Sequence, residues 1–269
     1  LKDVSVDGGY ADDRLTVTRI DVGDLGGASF RATSGRIDGL TTKPHGLLEA
    51  TLEAKTLDGL ALIAGKLAPD SGILPWLGRM APSLTPAIVK TRITAPAGPD
   101  GTGIRVAIEN GVAGSTSFNL DLESTFRTDW RDRPAMLSVS AHSPDSADLA
   151  RLLGLTAVPS QDPQGADITI HAAGVPGTGL DTQIDADIAG LTAAASGKLK
   201  LASSSAPDFD GTLKVATDDL DPFVATAGLA IPGADGGTRV AADGTLAFDG
   251  ASARLTWKNG TFGSRVASG

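Results

Sequence analysis

The sequence predicts a mainly β protein: a curved, mostly antiparallel sheet with a few short helices between groups of strands. The sheet could form an open groove, a flattened barrel or a sandwich. Apolar and polar residues alternate over long runs, for example over 104–109 and 118–123. A period of two places alternate side chains on opposite faces of a strand. Turn signals such as Asp249-Gly250 separate many of these runs, and such short connections make neighbouring strands antiparallel.

The alternation places fifteen strands along the chain. They are expected at about 2–7, 13–22, 27–37, 47–55, 87–95, 103–110, 115–125, 135–141, 167–173, 180–189, 191–202, 208–217, 237–248, 251–258 and 261–268. Because both residues of such pairs tolerate positive φ, two-residue hairpin turns are predicted at Asn110-Gly111, Asp249-Gly250 and Asn259-Gly260. Ala189-Gly190 lies between two alternating runs in a similar way and is predicted to turn there too.

The alternation slips out of phase at two places in the first strands. Val17 is followed by Ile20, one residue out of step, and a slip of one residue moves every later side chain to the other face. A β-bulge near Thr18 or Arg19 would absorb the slip. A similar mismatch separates Phe30 from Ile37.

Three segments interrupt the strands, at about 52–67, 137–155 and 213–229. Each reads as a strand, a polar step and a short helical stretch closed by Gly and Leu, which indicates a degenerate repeat. Asp221 before Pro222 is typical of a helix start. No break in composition marks a boundary, so residues 1–269 are predicted to form a single β-rich repeat domain. Since the chain begins at Leu1 without Met, we expect it to be an internal fragment of a longer protein.

Composition narrows the classes of partner. The chain has 269 residues, of which 41% are apolar, and this suffices to bury a core. The net charge of −9 would repel phosphate groups and therefore disfavours nucleic acid as a partner. Aromatic residues make up only 4%, which disfavours platforms that stack bases or sugars. There is no Cys, so disulfides and thiolate chemistry are excluded. No apolar run of about eighteen residues or more is present to span a bilayer as a helix.

The sequence predicts neither catalytic residues nor a metal or cofactor site. His45, His142 and His171 are the only histidines and lie far apart, and no second His joins the pair that His45 forms with Glu49. Acidic clusters such as Asp12-Asp13 and 218–221 do not have the spacing of a calcium loop and are typical of turns and caps. A hydrolase using scattered Ser, His and Asp remains one hypothesis, because such triads ignore sequence order.

The apolar strand faces are the remaining signal. They could form an ordinary closed core or line a groove that another molecule occupies. In the C-terminal strands the apolar face is sparse in bulk, with Ala193, Ala195, Ala242 and Ala253 among its members. A face of small aliphatic side chains fills a tight core poorly, so both alternatives stay open.

Several segments resemble the AsmA-like family, which includes the TamB proteins. The resemblance lies in the helical stretch from Asp148 to Leu155, in the strand pair 180–190 leading to 197–201, and in the closing run 253–260 with 263–266. It implies a bacterial envelope protein with a β-rich periplasmic body. The family's inner-membrane anchor would lie outside this chain.

The resemblance also implies a role in outer-membrane biogenesis, in the manner of bridge-like lipid transfer proteins. Acyl chains of a phospholipid, or of another lipid, would lie along an apolar β-groove. The rest of the parent chain and other envelope proteins are the further partners expected. The alternative is a structural or adhesive β-repeat domain with a closed core and no lipid ligand. The expected lining of the groove is Leu48, Leu52, Ile104, Val106, Ile108, Phe118, Leu120, Leu122, Ile168, Ile170, Ile184, Ile188, Leu213, Val215, Leu246 and Phe248.

Overall fold

Fifteen strands follow one another as neighbours in the order of the chain. The computed structural model describes residues 2–59, 61, 84–97, 103–125, 129–152, 157, 163–201, 208–227, 237–249, 252–263 and 265–267. Every strand pair for which a register is defined is antiparallel. The predicted fold class, a mainly β protein with an antiparallel sheet and few short helices, is therefore confirmed.

The strands are β1 (Lys2–Ala11), β2 (Arg14–Asp24), β3 (Ala28–Asp38), β4 (His45–Ala54), β5 (Ala87–Ala97), β6 (Gly103–Ala113), β7 (Thr116–Ser124), β8 (Ala135–Ser143), β9 (Ala166–Val175), β10 (Gly179–Ile188), β11 (Leu191–Lys200), β12 (Asp208–Thr217), β13 (Val240–Phe248), β14 (Ala253–Phe262) and β15 (Arg265–Ala267). Two helices have both ends within the described residues, α1 (Ser146–Leu152) and α2 (Asp221–Thr226), and a 3-10 turn covers Trp130–Asp132. Each predicted strand overlaps the observed strand of the same rank, with differences at the ends.

The chain divides into two compact units, Leu1–Leu137 and Ser138–Gly269. The first unit contains β1 to β7, and the second contains β9 to β15 with both helices. The division falls inside β8. In each unit the sheet is open and curled, and its strands pair only with their neighbours in the chain. The single domain expected from composition stays a prediction, and the units are described separately.

Two irregularities of the first unit agree with the predicted phase slips. Asp7 pairs with Arg19 and Gly8 pairs with Val17, so Thr18 is the extra residue of a bulge on β2. The β3–β4 register shifts between Ala32 and Arg36, which explains the mismatch between Phe30 and Ile37. Both bulges keep the apolar side chains on one face.

One predicted hairpin turn has the predicted form. Ile188 pairs with Leu191, so Ala189 and Gly190 form a two-residue turn. Their φ angles are 53° and 78°, as a type I′ turn requires. The connection after Phe248 is longer than predicted: Phe248 pairs with Ala253, and the amide of Asp249 donates to the Ser252 carbonyl (3.1 Å).

Two predicted hairpin turns are wrong. Asn110 lies inside β6, where the β6–β7 register shifts between Ile108 and Gly111, and the chain turns later at Gly114. Asn110 has a φ of 53°, so a bulge uses the positive φ that the sequence suggested for a turn. Asn259-Gly260 likewise lies inside β14 beside a register shift.

The two described helices begin in the same way. The Ser143 hydroxyl donates to the Asp145 carbonyl (2.8 Å), and the Ala147 amide donates to the Asp145 carboxylate (2.9 Å). Thr217, Asp219 and Asp221 repeat this arrangement before α2, with distances of 2.7 and 3.0 Å. The helix start at Asp221 and Pro222 is confirmed, and the free amide of Asp221 donates to the carboxylate of Asp219, two residues earlier. Most of the first predicted helical segment lies outside the described residues, as do Leu155 and Leu229.

Candidate functional site

The expected lining of the first unit lies on one face of its sheet. Leu48 pairs with Ile93, Ile93 with Val106, and Val106 with Leu122. Directly opposed residues of adjacent strands point to the same face. Leu52 and Ile104 continue this face along β4 and β6. Further along β6 and β7, Ile108 pairs with Leu120, and Phe118 pairs with Gly111.

The lining of the second unit also shares one face. Ile170 pairs with Ile184, and Ile184 pairs with Ala195, which in turn pairs with Leu213 and then Gly244. The remaining lining residues lie in parallel rows, through the pairs Ile168–Ala186, Ile188–Ala166, Val215–Ala193, Leu246–Gly211 and Phe248–Phe209. The apolar residues that alternate with polar ones in the sequence therefore lie together on one face of the sheet in each unit.

These side chains differ in burial. Ile104, Ile168 and Ile188 are buried, Phe248 is 38% exposed, and the remaining residues of the expected lining are half-buried. In each unit the described strands form one consecutive strand order. Along the middle of the strands, this face remains partly accessible to solvent.

The ends of the apolar face are closed in the first unit. At one end, Leu57 packs with Ala28, Ala54 and Ala87, and Leu52 lies against this cluster. At the other end, Ile37, Ala95 and Ile104 form a cluster against which Leu40 packs. Leu57 and Leu40 lie in connections that follow β4 and β3, so connecting segments close the face where the strands end.

Both helices cover part of the lining in the second unit. Leu149 of α1 is 2% exposed and packs with Ala166, Ile168 and Ile188, and Phe223 of α2 lies against the same cluster. Sequence reasoning found these helices but not what they cover. A short amphipathic helix is stabilised mainly by packing of its apolar side. The apolar residues of these two helices, each of which follows a strand, could therefore have indicated that the helices pack on the sheet.

A hydrogen bond between hydroxyls links the two helices. The Thr226 hydroxyl donates to the Pro222 carbonyl one turn earlier (2.9 Å). Its oxygen is therefore the acceptor for the Ser146 hydroxyl at 3.1 Å. Both side chains are buried, so this contact holds α1 beside α2 over the apolar face.

The opposite face carries cross-strand ion pairs. In the first unit Arg92 lies 3.0 Å from Glu49, and Arg105 contacts Asp121. In the second unit Lys198 lies 2.7 Å from Asp181. Each is a pair of opposite charges on adjacent strands, which stabilises a sheet modestly at exposed positions. This opposite face therefore carries charged pairs in both units, and in the first unit it also exposes Leu47, Ile88 and Val112.

Asp38 is the most strongly shifted acid of this charged face. Hydrogen bonds from Arg36 (2.5 Å) and Arg14 lower the pKa of the Asp38 carboxyl to about 2, and both positive charges act in the same direction. The His45 Nε2 atom lies 3.8 Å from the same carboxylate. All these groups are exposed in part, and the cluster reads as an ion-pair network of the surface.

The histidines that the sequence singled out lie on separate strands. His142 Nδ1 lies 2.9 Å from Asp167 Oδ1, and both side chains are exposed. His45 Nδ1 lies 3.1 Å from the Lys43 carbonyl oxygen, and His171 is exposed on β9. In the part of the chain that the structure describes, no three His, Asp or Glu side chains cluster as a metal site would require. None of the described helices combines the length and apolar character needed to span a bilayer.

The apolar face of each unit is thus the candidate site, with a partly open middle, closed ends and a charged opposite face. Comparisons with protein-family models, with curated proteins and with solved structures find no match to this chain.

Proposed function

We propose that this chain is a periplasmic segment of an AsmA-like protein that acts in outer-membrane biogenesis. It would hold or conduct phospholipid acyl chains along the apolar face of its sheet, with the inner-membrane anchor outside this chain. The observation that carries the proposal is the half-buried lining in the middle of each apolar face, as at Val106 and Leu213. Partly accessible aliphatic surface of this kind is typical of an interaction site.

An acyl chain needs no specific polar group to bind such a face. Each buried methylene contributes about 0.8 kcal/mol, so several in a row suffice to hold a chain. The headgroup would stay in water beyond the apolar rows. This physical requirement agrees with a sequence that carries aliphatic alternation without a catalytic motif, and we propose a non-enzymatic role.

The alternative is a structural or adhesive β-repeat domain with a closed core. It is favoured by the covered part of the second unit, where Leu149 and Phe223 pack on Ile168 and Ile188. If the whole face is closed in this way, no acyl chain can enter. The two proposals therefore differ in whether the middle of the face binds lipid.

A pair of substitutions on β13 separates these alternatives. Ala242 pairs with Val215 on the apolar face, and Ala241 is an exposed residue of the opposite face. Ala242→Asp and Ala241→Asp change composition and charge identically. Native mass spectrometry of the purified chain detects bound lipid, and titration with a fluorescent phospholipid gives its Kd.

We expect the unsubstituted chain to carry phospholipid and to bind the fluorescent one. Ala242→Asp should raise the Kd about tenfold, equivalent to about 1.4 kcal/mol, because a carboxylate would be desolvated beside the acyl chain. Ala241→Asp should leave the Kd unchanged. A lipid-free chain that also ignores added phospholipid would exclude lipid binding and favour the closed core.

A further inference from the structure

The helices α1 and α2 reach towards each other from two separate strands of the second unit. α1 starts after the end of β8 and α2 after the end of β12, and β9, β10 and β11 lie between these strands. Four strand spacings along the sheet amount to about 19 Å. The hydroxyls of Ser146 and Thr226 nevertheless lie 3.1 Å apart. The two helices therefore form a helix cover over the apolar face, with a seam at this contact.

The helix cover blocks part of the apolar face. Leu149 of α1 and Phe223 of α2 pack against Ile168 and Ile188, which are 7% and 8% exposed. Leu213, on the same apolar face, is half-buried. An acyl chain can lie beside Leu213 while the cover is in place. It can reach Ile168 and Ile188 only if the cover moves.

The seam of the helix cover can separate with a small change in free energy. The Thr226 hydroxyl keeps its hydrogen bond to the Pro222 carbonyl (2.9 Å) when the helices separate, because both groups belong to α2. The Ser146 hydroxyl loses its acceptor, and water can replace that acceptor once the seam is open. A hydrogen bond within the protein and one to water differ little in free energy. The seam contact therefore closes the cover reversibly.

An acyl chain can also replace the apolar contacts beneath the helix cover. Leu149 and Phe223 bury apolar surface of Ile168 and Ile188, and the methylenes of an acyl chain would bury the same surface with a comparable gain per unit area. α1 and α2 have seven and six residues, so their position depends on this packing. A ligand that competes for these contacts shifts the population towards the open cover.

We propose that the helix cover is a gate on the acyl path of the second unit. It opens at the contact between Ser146 and Thr226 when an acyl chain packs on Ile168 and Ile188, and it closes over these residues in the absence of lipid. This inference rests on the proposed function, because the lipid is what displaces the cover. A permanently closed cover would instead confine lipid to the part of the face around Leu213.

A disulfide across the seam tests the gate, because the chain has no Cys of its own. The seam variant, Ser146→Cys with Thr226→Cys, places two sulfurs where hydroxyls lie 3.1 Å apart, which is within reach of a disulfide. The matched control is Ser196→Cys with Thr212→Cys. It makes the same two exchanges at hydroxyls 3.0 Å apart, at exposed positions of β11 and β12 on the face opposite the apolar one. Mass spectrometry of the intact chain verifies each disulfide.

The probe is a phosphatidylcholine that carries a photoreactive diazirine in one acyl chain, and peptide mass spectrometry locates the labelled residues. We expect labelling at Leu213, Ile168 and Ile188 in the unsubstituted chain and in the reduced seam variant. Oxidation of the seam variant should lower labelling at Ile168 and Ile188 about tenfold, because a closed cover removes the state that binds there. Labelling at Leu213 should not change, and the oxidised control should be labelled like the unsubstituted chain.

Leu149→Ala gives a second measurement that needs no disulfide. It removes the side chain that packs α1 on the sheet, so it should raise labelling at Ile168 and Ile188 severalfold. Circular dichroism checks that each variant is folded.

Two kinds of result would contradict the gate. Labelling at Leu213 together with labelling at Ile168 that does not respond to the seam disulfide or to Leu149→Ala would overturn the gate and leave the proposed function standing. The same holds if Ile168 and Ile188 stay unlabelled even in the reduced form. A chain that is labelled nowhere on its apolar face would overturn the proposed function, and the gate with it.

Discussion

Asp38 shows how the charged face responds to pH. Its carboxylate accepts hydrogen bonds from Arg36 and Arg14, which lower its pKa from 3.8 to about 2 in the folded chain. An acid whose pKa is lower in the folded state stabilises that state above its unfolded pKa. This stabilisation is lost as the pH falls through the folded value.

Asp38→Asn should therefore lower the thermal unfolding midpoint at pH 7, because Arg14 and Arg36 lose their anionic partner. The difference from the unsubstituted chain should shrink as the pH falls from about 4 towards 2, where Asp38 itself becomes neutral. Thermal unfolding followed by circular dichroism across this pH range measures the difference. Glu53→Gln, an exposed acid on β4, serves as the control and should leave the midpoint unchanged at pH 7.

Single residues also show where sequence reasoning succeeded and where it did not. The turn at Ala189-Gly190 and the bulge at Thr18 were both predicted, because hydrophobic phase fixed the partners on either side. Asn110-Gly111 was wrongly assigned to a turn. Asn tolerates positive φ equally in a hairpin and in a bulge, so local preference could not distinguish them. The decision depended on Phe118, which pairs with Gly111 from the next strand.

At the scale of elements, the contact between α1 and α2 rests on one hydrogen bond with a defined direction. Ser146→Ala removes a donor, while Thr226 still donates to Pro222. This should cost about 1 kcal/mol of unfolding free energy. Thr226→Val removes the acceptor of Ser146 and leaves that buried hydroxyl without a partner, and should cost up to about 3 kcal/mol.

Urea unfolding followed by circular dichroism gives both costs. Thr192→Val is a suitable control, because the Thr192 hydroxyl donates to the Ala216 carbonyl at an exposed position. It should change the unfolding free energy by less than either helix variant. Equal costs for Ser146→Ala and Thr226→Val would show that the direction assigned to the hydrogen bond is wrong.

The elements of the candidate site were only partly predictable. Period-two alternation identified the apolar side of Ile168 and Ile188 but contains no information about what packs on that side. Leu149 and Phe223 reach it from helices that follow β8 and β12 in the chain. Their placement depends on the direction in which each connection leaves its strand. That direction follows from tertiary packing and not from local periodicity.

At the scale of the whole molecule, protection from hydrogen exchange should follow the strand order. In the described strand order β1 has one neighbouring strand and is exposed throughout, whereas β4 lies between β3 and β5. Amides of β1 should therefore exchange fastest among the strands of the first unit, because local opening of an edge disrupts few contacts. Hydrogen–deuterium exchange mass spectrometry of a dilute sample measures this difference, and equal protection of β1 and β4 would contradict it.

Pairing only between strands adjacent in the chain has a consequence for biosynthesis. Except where a helix or a longer connection intervenes, each strand meets its partner after a short loop, so the entropy lost on closure stays small. Contacts of low sequence separation also favour rapid folding. Each new strand can dock on the growing edge as the chain emerges, without waiting for a distant segment. A sheet assembled in this way can be lengthened by duplicating hairpins, and its length is a quantity that evolution can adjust in small steps.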